Sequence, residues 1–488
     1  MLKLVITIII QLLLLCSISL AQQEQDIIHG SPPGAKPQRI SGAEGFPPLP
    51  LPVVPLRRTE QKRPPQPLAL ISKIKYVTGE GWRGHISDVK QMLDWASPQL
   101  GISYTNNEVI LDQFSFDANA IPIIYFTGHK KIVFTDEQKK KIYKYLVDGG
   151  TILGNACCGN TVFTESFRKE FENILPQRSF QIISSSHPIY SSFFKVEKIN
   201  YIRSGQTKSS ETPRLEGVNL GCRLAVILST ADLSSGWDNV PVPTARETIQ
   251  TNDALKIGAN IVAYVLAFHK VGKNLAKESV YETNDKSSGG EFTFAQVVHN
   301  GDWDPHPGAI TQFLKKLGAT TMSNVQYNRI SVHLTKDDLT NHPFIYMTGH
   351  TDFQFSQTDA AKLTKYLYNG GFLLVNCCCG SSEFDLAFRR ELKKIFPNND
   401  LTELPPTHPV FNSFYTIDQV EYTQKASQSR AGNKEPYLEG IMAKDYAMVL
   451  YSKYGMAWDQ QIRPYTKTYQ PEDSIKLGIN SIVYALSH

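Results

Sequence analysis

The apolar positions of this chain follow a pattern that is laid down twice. Ile121 to Phe126 is an unbroken apolar run ending at Thr127-Gly128-His129, which predicts a strand buried on both faces. Thr135, with Gln138 three residues on, predicts a helix start with a capping box. Ile142 and Leu146 give that helix an inward face, and Gly149 ends it. Thr151 to Asn155 predicts the next strand, which runs into Cys157-Cys158-Gly159. Phe163, Phe167, Phe171 and Ile174 then recur at helical spacing until Pro176. Upstream, Ile74 to Thr78 predicts an opening strand, followed by a loop with Trp82 and a helix carrying Val89, Met92, Leu93 and Ala96. Downstream, Leu224 to Leu228 and Ile261 to Leu266 predict a further strand and a closing helix.

The second pass has the same order: Phe292 to Val298, Ile345 to Thr348, Phe372 to Asn376, Ala447 to Tyr451 and Ile479 to Leu486. His129 and His350 are 221 residues apart, as are Cys157 and Cys378, His187 and His408, and Trp237 and Trp458. A constant offset of that length marks the tandem duplication of a whole domain, far longer than a solenoid repeat. Strand and helix alternate with short connections, so each copy is predicted to be an α/β domain with right-handed crossovers and a largely parallel sheet. The first domain is expected over 71–270, a linker over 271–290 and the second domain over 291–488.

The flanks change the picture. Lys3, the apolar stretch Val5 to Leu15 and Ser19-Leu20-Ala21 predict a signal peptide over 1–21. Eleven prolines in 22–70 predict an extended, semi-rigid spacer. Export with cleavage is therefore expected, and no later stretch is long and apolar enough to span a membrane. The chain is 41% hydrophobic and 20% charged, with a net charge of +4, which is too diffuse to point to a nucleic-acid partner. Cleavage would remove Cys16 and leave six of the seven cysteines, five of them in two equivalent clusters. That is not the spread spacing of a disulfide scaffold.

In an open parallel sheet, ligands meet the carboxyl ends of the strands, and three repeated motifs lie there. Thr-Gly-His offers His129 and His350 as acid, base, metal ligand or structural histidines. Asn-x-Cys-Cys-Gly offers Asn155, Cys157 and Gly159, matched by Asn376, Cys378 and Gly380. A thiol between a strand and a helix N-terminus feels the positive end of the helix and could be a nucleophile, with backbone N–H groups holding an oxyanion. Cysteine also serves as a small buried side chain. The third motif is His-Pro-hydrophobic, with His187 and His408, which with the two asparagines and two glycines are candidate ligand-binding residues. Neighbouring cysteines such as Cys377, Cys378 and Cys379 rarely point at one ion, and no Cys/His spacing follows, so no metal site and no cofactor are expected. Arg168 with Glu170, and Arg389 with Glu391, are expected in surface or interdomain ion pairs.

On the motifs P-F-I-Y-M-T-G-H, Y-L-Y-N-G-G-F-L-L-V, F-R-R-E-L-K-K-I-F-P, T-H-P-V-F-N-S-F-Y and K-L-G-I-N-S-I-V-Y-A-L, the chain resembles the bacterial domain-of-unknown-function 4159 family. The resemblance covers nearly all of 291–488 and, more weakly, 72–268. It implies a flavodoxin-like fold of the class I glutamine-amidotransferase-like and trehalose-utilisation-like kind, and carries no established activity. Family members usually have acidic residues where Asn155-Ala156 and Asn376-Cys377 stand here, and neither copy shows the late His-x-Glu of amidotransferases. The expectation is an exported, non-catalytic pair of domains that binds an envelope protein or small ligand. The alternative is a thiol-dependent hydrolase or transferase using Cys157 or Cys378 with His129 or His350.

Overall fold

Seven strands form one sheet in each copy, in the same spatial order. The computed structural model describes residues 68–488 apart from 177, 204–205, 208–209, 276–291, 323–324, 328, 445 and 488. The expected signal peptide, nearly all of the proline-rich segment and most of the linker lie outside the described residues. The first sheet contains β1 (Ala69–Lys75), β2 (Thr105–Ile110), β3 (Ile123–Gly128), β4 (Thr151–Ala156) and β5 (Gln181–Ile182). Strands β6 (Tyr201–Arg203) and β7 (Gln206–Thr207) join a small separate sheet with β10 (Thr248–Ile249). Strands β8 (Glu216–Leu220) and β9 (Arg223–Ser229) complete the first sheet, ordered β2-β1-β3-β4-β9-β8-β5. The second copy has β11 (Ala295–Val297), β12 (Ile330–Val332), β13 (Phe344–Gly349), β14 (Phe372–Cys377), β15 (Thr402–Glu403), β16 (Glu439–Ala443) and β17 (Tyr446–Ser452), ordered β12-β11-β13-β14-β17-β16-β15. The five strands from β2 to β9 run parallel, and the last two of each sheet are antiparallel. The second sheet repeats this.

Both faces of each sheet are covered, which is why its central strands read as continuous apolar runs. On one face of the first sheet, Val89, Met92, Trp237 and Ile257 share a cluster with Tyr125 and Leu153. On the other, Ile142, Leu146, Phe163, Phe167 and Phe171 pack on Ile124, Phe126 and Ile152. Each such side chain, removed from water, contributes about 1.5–3 kcal/mol. The helix Asp136–Val147 starts at the expected capping box of Thr135 and Gln138, and Ser356 and Asp359 form the same device at Gln357–Tyr368.

Three expectations shift. The opening strand begins at Ala69 rather than Ile74, because pairing with β2 and β3 sets its limits (Ala69 opposite Thr105, Ile71 opposite Ile123). Its polar interior hid it: Lys73 is buried and paired with Asp88 at 2.7 Å. The closing helices are Thr251–Leu275 and Pro471–Ser487, longer than their apolar runs. Their buried asparagines are satisfied from outside the helix, with Asn260 bonding the backbone of Phe194 and Asn480 that of Tyr415. The repeated Arg-x-Glu residues, two apart and on different helix faces as expected, pair within their own copies and not across them. Arg168 holds Glu216 and Arg389 holds Glu439, while Glu170 and Glu391 accept the backbone N–H of Phe134 and Phe355.

Both copies fall within one compact unit. They meet head to tail. Strand β9 runs parallel to β4, so the turn from β8 into β9 lies at the amino end of the first sheet, and it touches the loops at the carboxyl end of the second. Arg178 donates to Asp302 at 3.2 Å, Ser186 bonds Ser382 at 2.6 Å, and Tyr264 stacks on Tyr465 at 6.1 Å and 9°.

Trp458 anchors the second core. It stacks on Phe313 at 4.3 Å and 13° and donates to the Ser474 carbonyl at 3.0 Å. Trp458→Ala should cost about 3–5 kcal/mol, whereas Thr135→Ala, which removes only a cap, should cost about 1 kcal/mol. Urea unfolding midpoints check this ranking; equal midpoints for the two variants would contradict it.

Candidate metal centre

Parallel pairing brings the repeated histidines and cysteines together. Gly128 lies opposite Ala156 and Gly349 opposite Cys377, so His129 and Cys157, like His350 and Cys378, leave neighbouring strands side by side. The backbone then bends sharply. Cys158 and Cys379 have φ of 58° and 55°, in the left-handed region, before the helices Thr161–Ile174 and Ser382–Ile395. A non-glycine residue there is held by its surroundings. The Cys158 N–H donates to Asp232 at 2.9 Å, and its carbonyl accepts from Arg246 at 3.0 Å. Lys467 makes the latter bond to Cys379, also at 3.0 Å.

In the second copy these residues form part of a larger cluster. Ligand atoms of Cys222, His306, His350, Cys378 and Cys379 all lie within 4.8 Å of one another. Cys222 comes from the first copy, in the turn after Gly221, whose φ is 60°. His306 comes from the loop after β11, His350 follows β13, and Cys378 and Cys379 follow β14. The Cys222 and Cys378 sulfurs are 3.7 Å apart and those of Cys378 and Cys379 3.8 Å. Tetrahedral thiolates at a Zn–S distance of ~2.3 Å are separated by about 3.8 Å. Cys379 and Cys222 approach to 2.7 Å, His350 Nε2 lies 3.0 Å from the Cys222 sulfur, and His306 Nε2 also contacts that sulfur. All six described cysteines are free thiols.

The surroundings tune these groups. His350 Nδ1 bonds Asp302 Oδ2 at 3.0 Å, leaving Nε2 turned to the sulfurs. This is the outer-shell arrangement that orients metal-binding imidazoles. Burial disfavours charge on His350, yet the sulfurs of Cys222 and Cys379 and the Asp302 carboxylate hold it well above the ordinary imidazole value. Burial also raises the Cys379 thiol, but bonds from Cys222 and Cys378 and the nearby His350 bring it well below the usual thiol range. Burial dominates at Cys378, which stays well above it. His306 is lowered to about 4 by burial and by Arg463. A cavity of about 330 Å³ opens beside the cluster, bordered by His350, Cys379, Lys425 and Tyr465.

The other expected site residues are placed differently. Cys157 and Cys378 are buried, and the residue at each bend is the next one, Cys158 or Cys379. Asn155 and Asn376 are buried braces: Asn155 donates to Asp232 and accepts from the Leu233 N–H, and Asn376 accepts from the Met456 N–H. Gly159 and Gly380 have φ of 71° and 63°, and a Cβ on Gly380 would lie 2.6 Å from the Lys467 carbonyl oxygen. His187 and His408 cap short turns through Nδ1, accepting from Ile189 and Val410, and neither joins the cluster. Cys379 was visible as the repeat of Cys158 but was not expected to share an ion with its neighbours. Two cluster members escaped sequence reasoning. His306 had a signal, since Trp82-x-x-His85 and Trp303-x-x-His306 recur at the same offset of 221. Cys222 had none, because repeat register (Glu216 to Glu439, an offset of 223) puts Asp445 opposite it.

Fold and site together define a tandem α/β protein with a Cys/His cluster at the junction of its two copies. The family described as Domain of unknown function (DUF4159) matches residues 71–266 and 293–486, and the chain belongs to that family. No curated protein matches it.

Asp302→Asn keeps the size of the side chain and removes the charge that orients His350. The affinity of an ion held through His350 should fall about 10–100-fold, as read by competition with a chromophoric chelator. Unchanged affinity would remove Asp302 from that positioning role.

Proposed function

We propose that this chain is a metal-tethered pair of flavodoxin-like domains acting as a non-catalytic binding or scaffolding protein of the cell envelope. A thiophilic ion of the zinc type would be held by Cys222 of the first copy and His306, His350 and Cys379 of the second, with Cys378 as a further donor. The observation that carries this reading is the convergence of five donor atoms from both copies within 4.8 Å. Four protein ligands of these types describe a closed, structural centre rather than a hydrolytic one, which keeps a position for water. The leader-like segment and the proline-rich stretch support export, and a strand order of β2-β1-β3-β4-β9 supports the flavodoxin-like assignment.

One observation favours a second reading. The 2.7 Å between Cys379 and Cys222 would suit a thiol pair that oxidises to an interdomain disulfide, which forms at ~2.05 Å. Two imidazoles aimed at the same sulfurs are not needed for that bond and suit an ion instead.

Metal analysis of the purified full-length protein, with non-reducing peptide mapping, separates the two. A junction zinc, so that Cys222→Ser and Cys379→Ser each bind one ion per chain fewer than the wild type, is the expected result. Free zinc at about 100 times its Kd should stabilise the native state by about 2.7 kcal/mol, so a chelator should lower the melting temperature of the wild type more than that of these variants. A Cys222–Cys379 disulfide with no metal would overturn the reading.

A further inference from the structure

The first copy carries its own set of donors at the carboxyl end of its sheet. We propose that His85, His129, Cys157 and Cys158 form a second site for a thiophilic divalent cation, distinct from the junction and open on one side to solvent. Each residue stands 221 positions before a member of the junction cluster: His306, His350, Cys378 and Cys379. Equivalent strands and loops present them.

The geometry gathers these donors around the Cys157 sulfur. Ligand atoms of His129, Cys157 and Cys158 lie within 4.8 Å of one another, as do those of His85, Cys157 and Asp232, so two triads meet at the Cys157 sulfur. The Cys157 and Cys158 sulfurs are 3.7 Å apart, against 3.8 Å for their counterparts and the ~3.8 Å of a tetrahedral thiolate pair. His85 is braced by Asp238, 3.6 Å from Nδ1, and its Nε2 lies 3.8 Å from Asp232, which is completely buried. Asp238 corresponds to Asp459, which stands 4.0 Å from His306.

The two sites differ in what covers them. At the junction, the turn bearing Cys222 closes the cluster. In head-to-tail stacking that turn comes from the preceding copy, and among the described residues no such turn joins the donors of the first copy. His129 is accordingly exposed, whereas its counterpart His350 is only 11% exposed beneath the neighbouring domain. Asp302, which fixes His350, is replaced by Gly81. The second ion would thus have fewer protein donors, a position open to water or a small anion, and faster exchange than the junction ion.

The same residues could instead hold Cys158 as a free thiolate beside His129, since bonds from Cys157 and His129 lower its thiol to about 5. One experiment decides. The reduced full-length protein is loaded with zinc, freed of excess ion and analysed for metal per chain. Release to a chromophoric chelator is then followed in the wild type, His129→Ala with Cys158→Ser, and Cys222→Ser with Cys379→Ser. The expected result is about two ions per wild-type chain, released in a fast and a slow phase. The first variant should lose only the fast phase and the second only the slow one. A single ion, unaffected by His129→Ala with Cys158→Ser, overturns this inference and leaves the junction reading intact. A single ion lost only in that variant supports it and overturns the junction reading. No ion, with rapid alkylation of Cys158, overturns both.

Discussion

Everything distinctive in this molecule depends on the parallel pairing of two strands within each copy. When β13 is hydrogen-bonded to β14 with Gly349 opposite Cys377, the residues that follow have no choice but to emerge as neighbours. One is an imidazole and the next two are thiols. The pairing is fixed by burial: every residue of both strands is removed from water, and a slip of one position would turn each inward side chain to the opposite face. Close packing adds a second constraint. A Cβ at Gly128 would lie 2.3 Å from the Gly81 carbonyl oxygen, where φ is 136°. Only glycine lets the His129 N–H reach that carbonyl, at 3.0 Å. The Thr-Gly-His motif is therefore a geometric device before it is a chemical one.

The parts of this arrangement legible in the sequence are those with a local cause. The buried strands Ile123–Gly128 and Phe344–Gly349 announce themselves as apolar runs, and the cap at Thr135 lies in four consecutive residues. The duplication itself needs only a constant offset. Strand β1 was displaced in the reading because its charged Lys73 finds a partner, Asp88, 15 residues away. The two-residue strands Gln181–Ile182 and Thr402–Glu403 have no pattern to read, since each exists only by pairing with an edge.

The candidate site was half legible for a different reason. Sequence spacing reveals ligand sets that sit on one turn or one helix, as in compact zinc motifs. Here the donors come from four loops and two domains, and the linear distance from Cys222 to Cys379 is 157 residues. His129, His350 and the cysteine pairs were visible because they repeat. Cys222 does not repeat, and its role follows from quaternary-like packing of one copy on the next. Read without that packing, the Cys377-Cys378-Cys379 run seemed unable to address one ion. The left-handed turn at Cys379 aims its sulfur beside that of Cys378 instead of away from it.

Head-to-tail stacking also explains why two copies of one domain need not do one job. A heterologous contact that does not close on itself leaves one free surface at each end. Among the described residues, the turn bearing Cys222 covers the carboxyl-end loops of the second copy, and no equivalent turn joins the donors of the first. The same strand ends therefore occupy two environments: a largely buried junction, where a fifth donor arrives from the neighbour, and a more accessible face without one. Burial at the junction raises the cost of leaving thiolates and imidazoles unpaired, and closed coordination removes that cost. On the open face water shares the task, so fewer donors suffice and exchange is easier. The divergence of Asp302 from Gly81 falls at a position that distinguishes the junction cluster from the more open one.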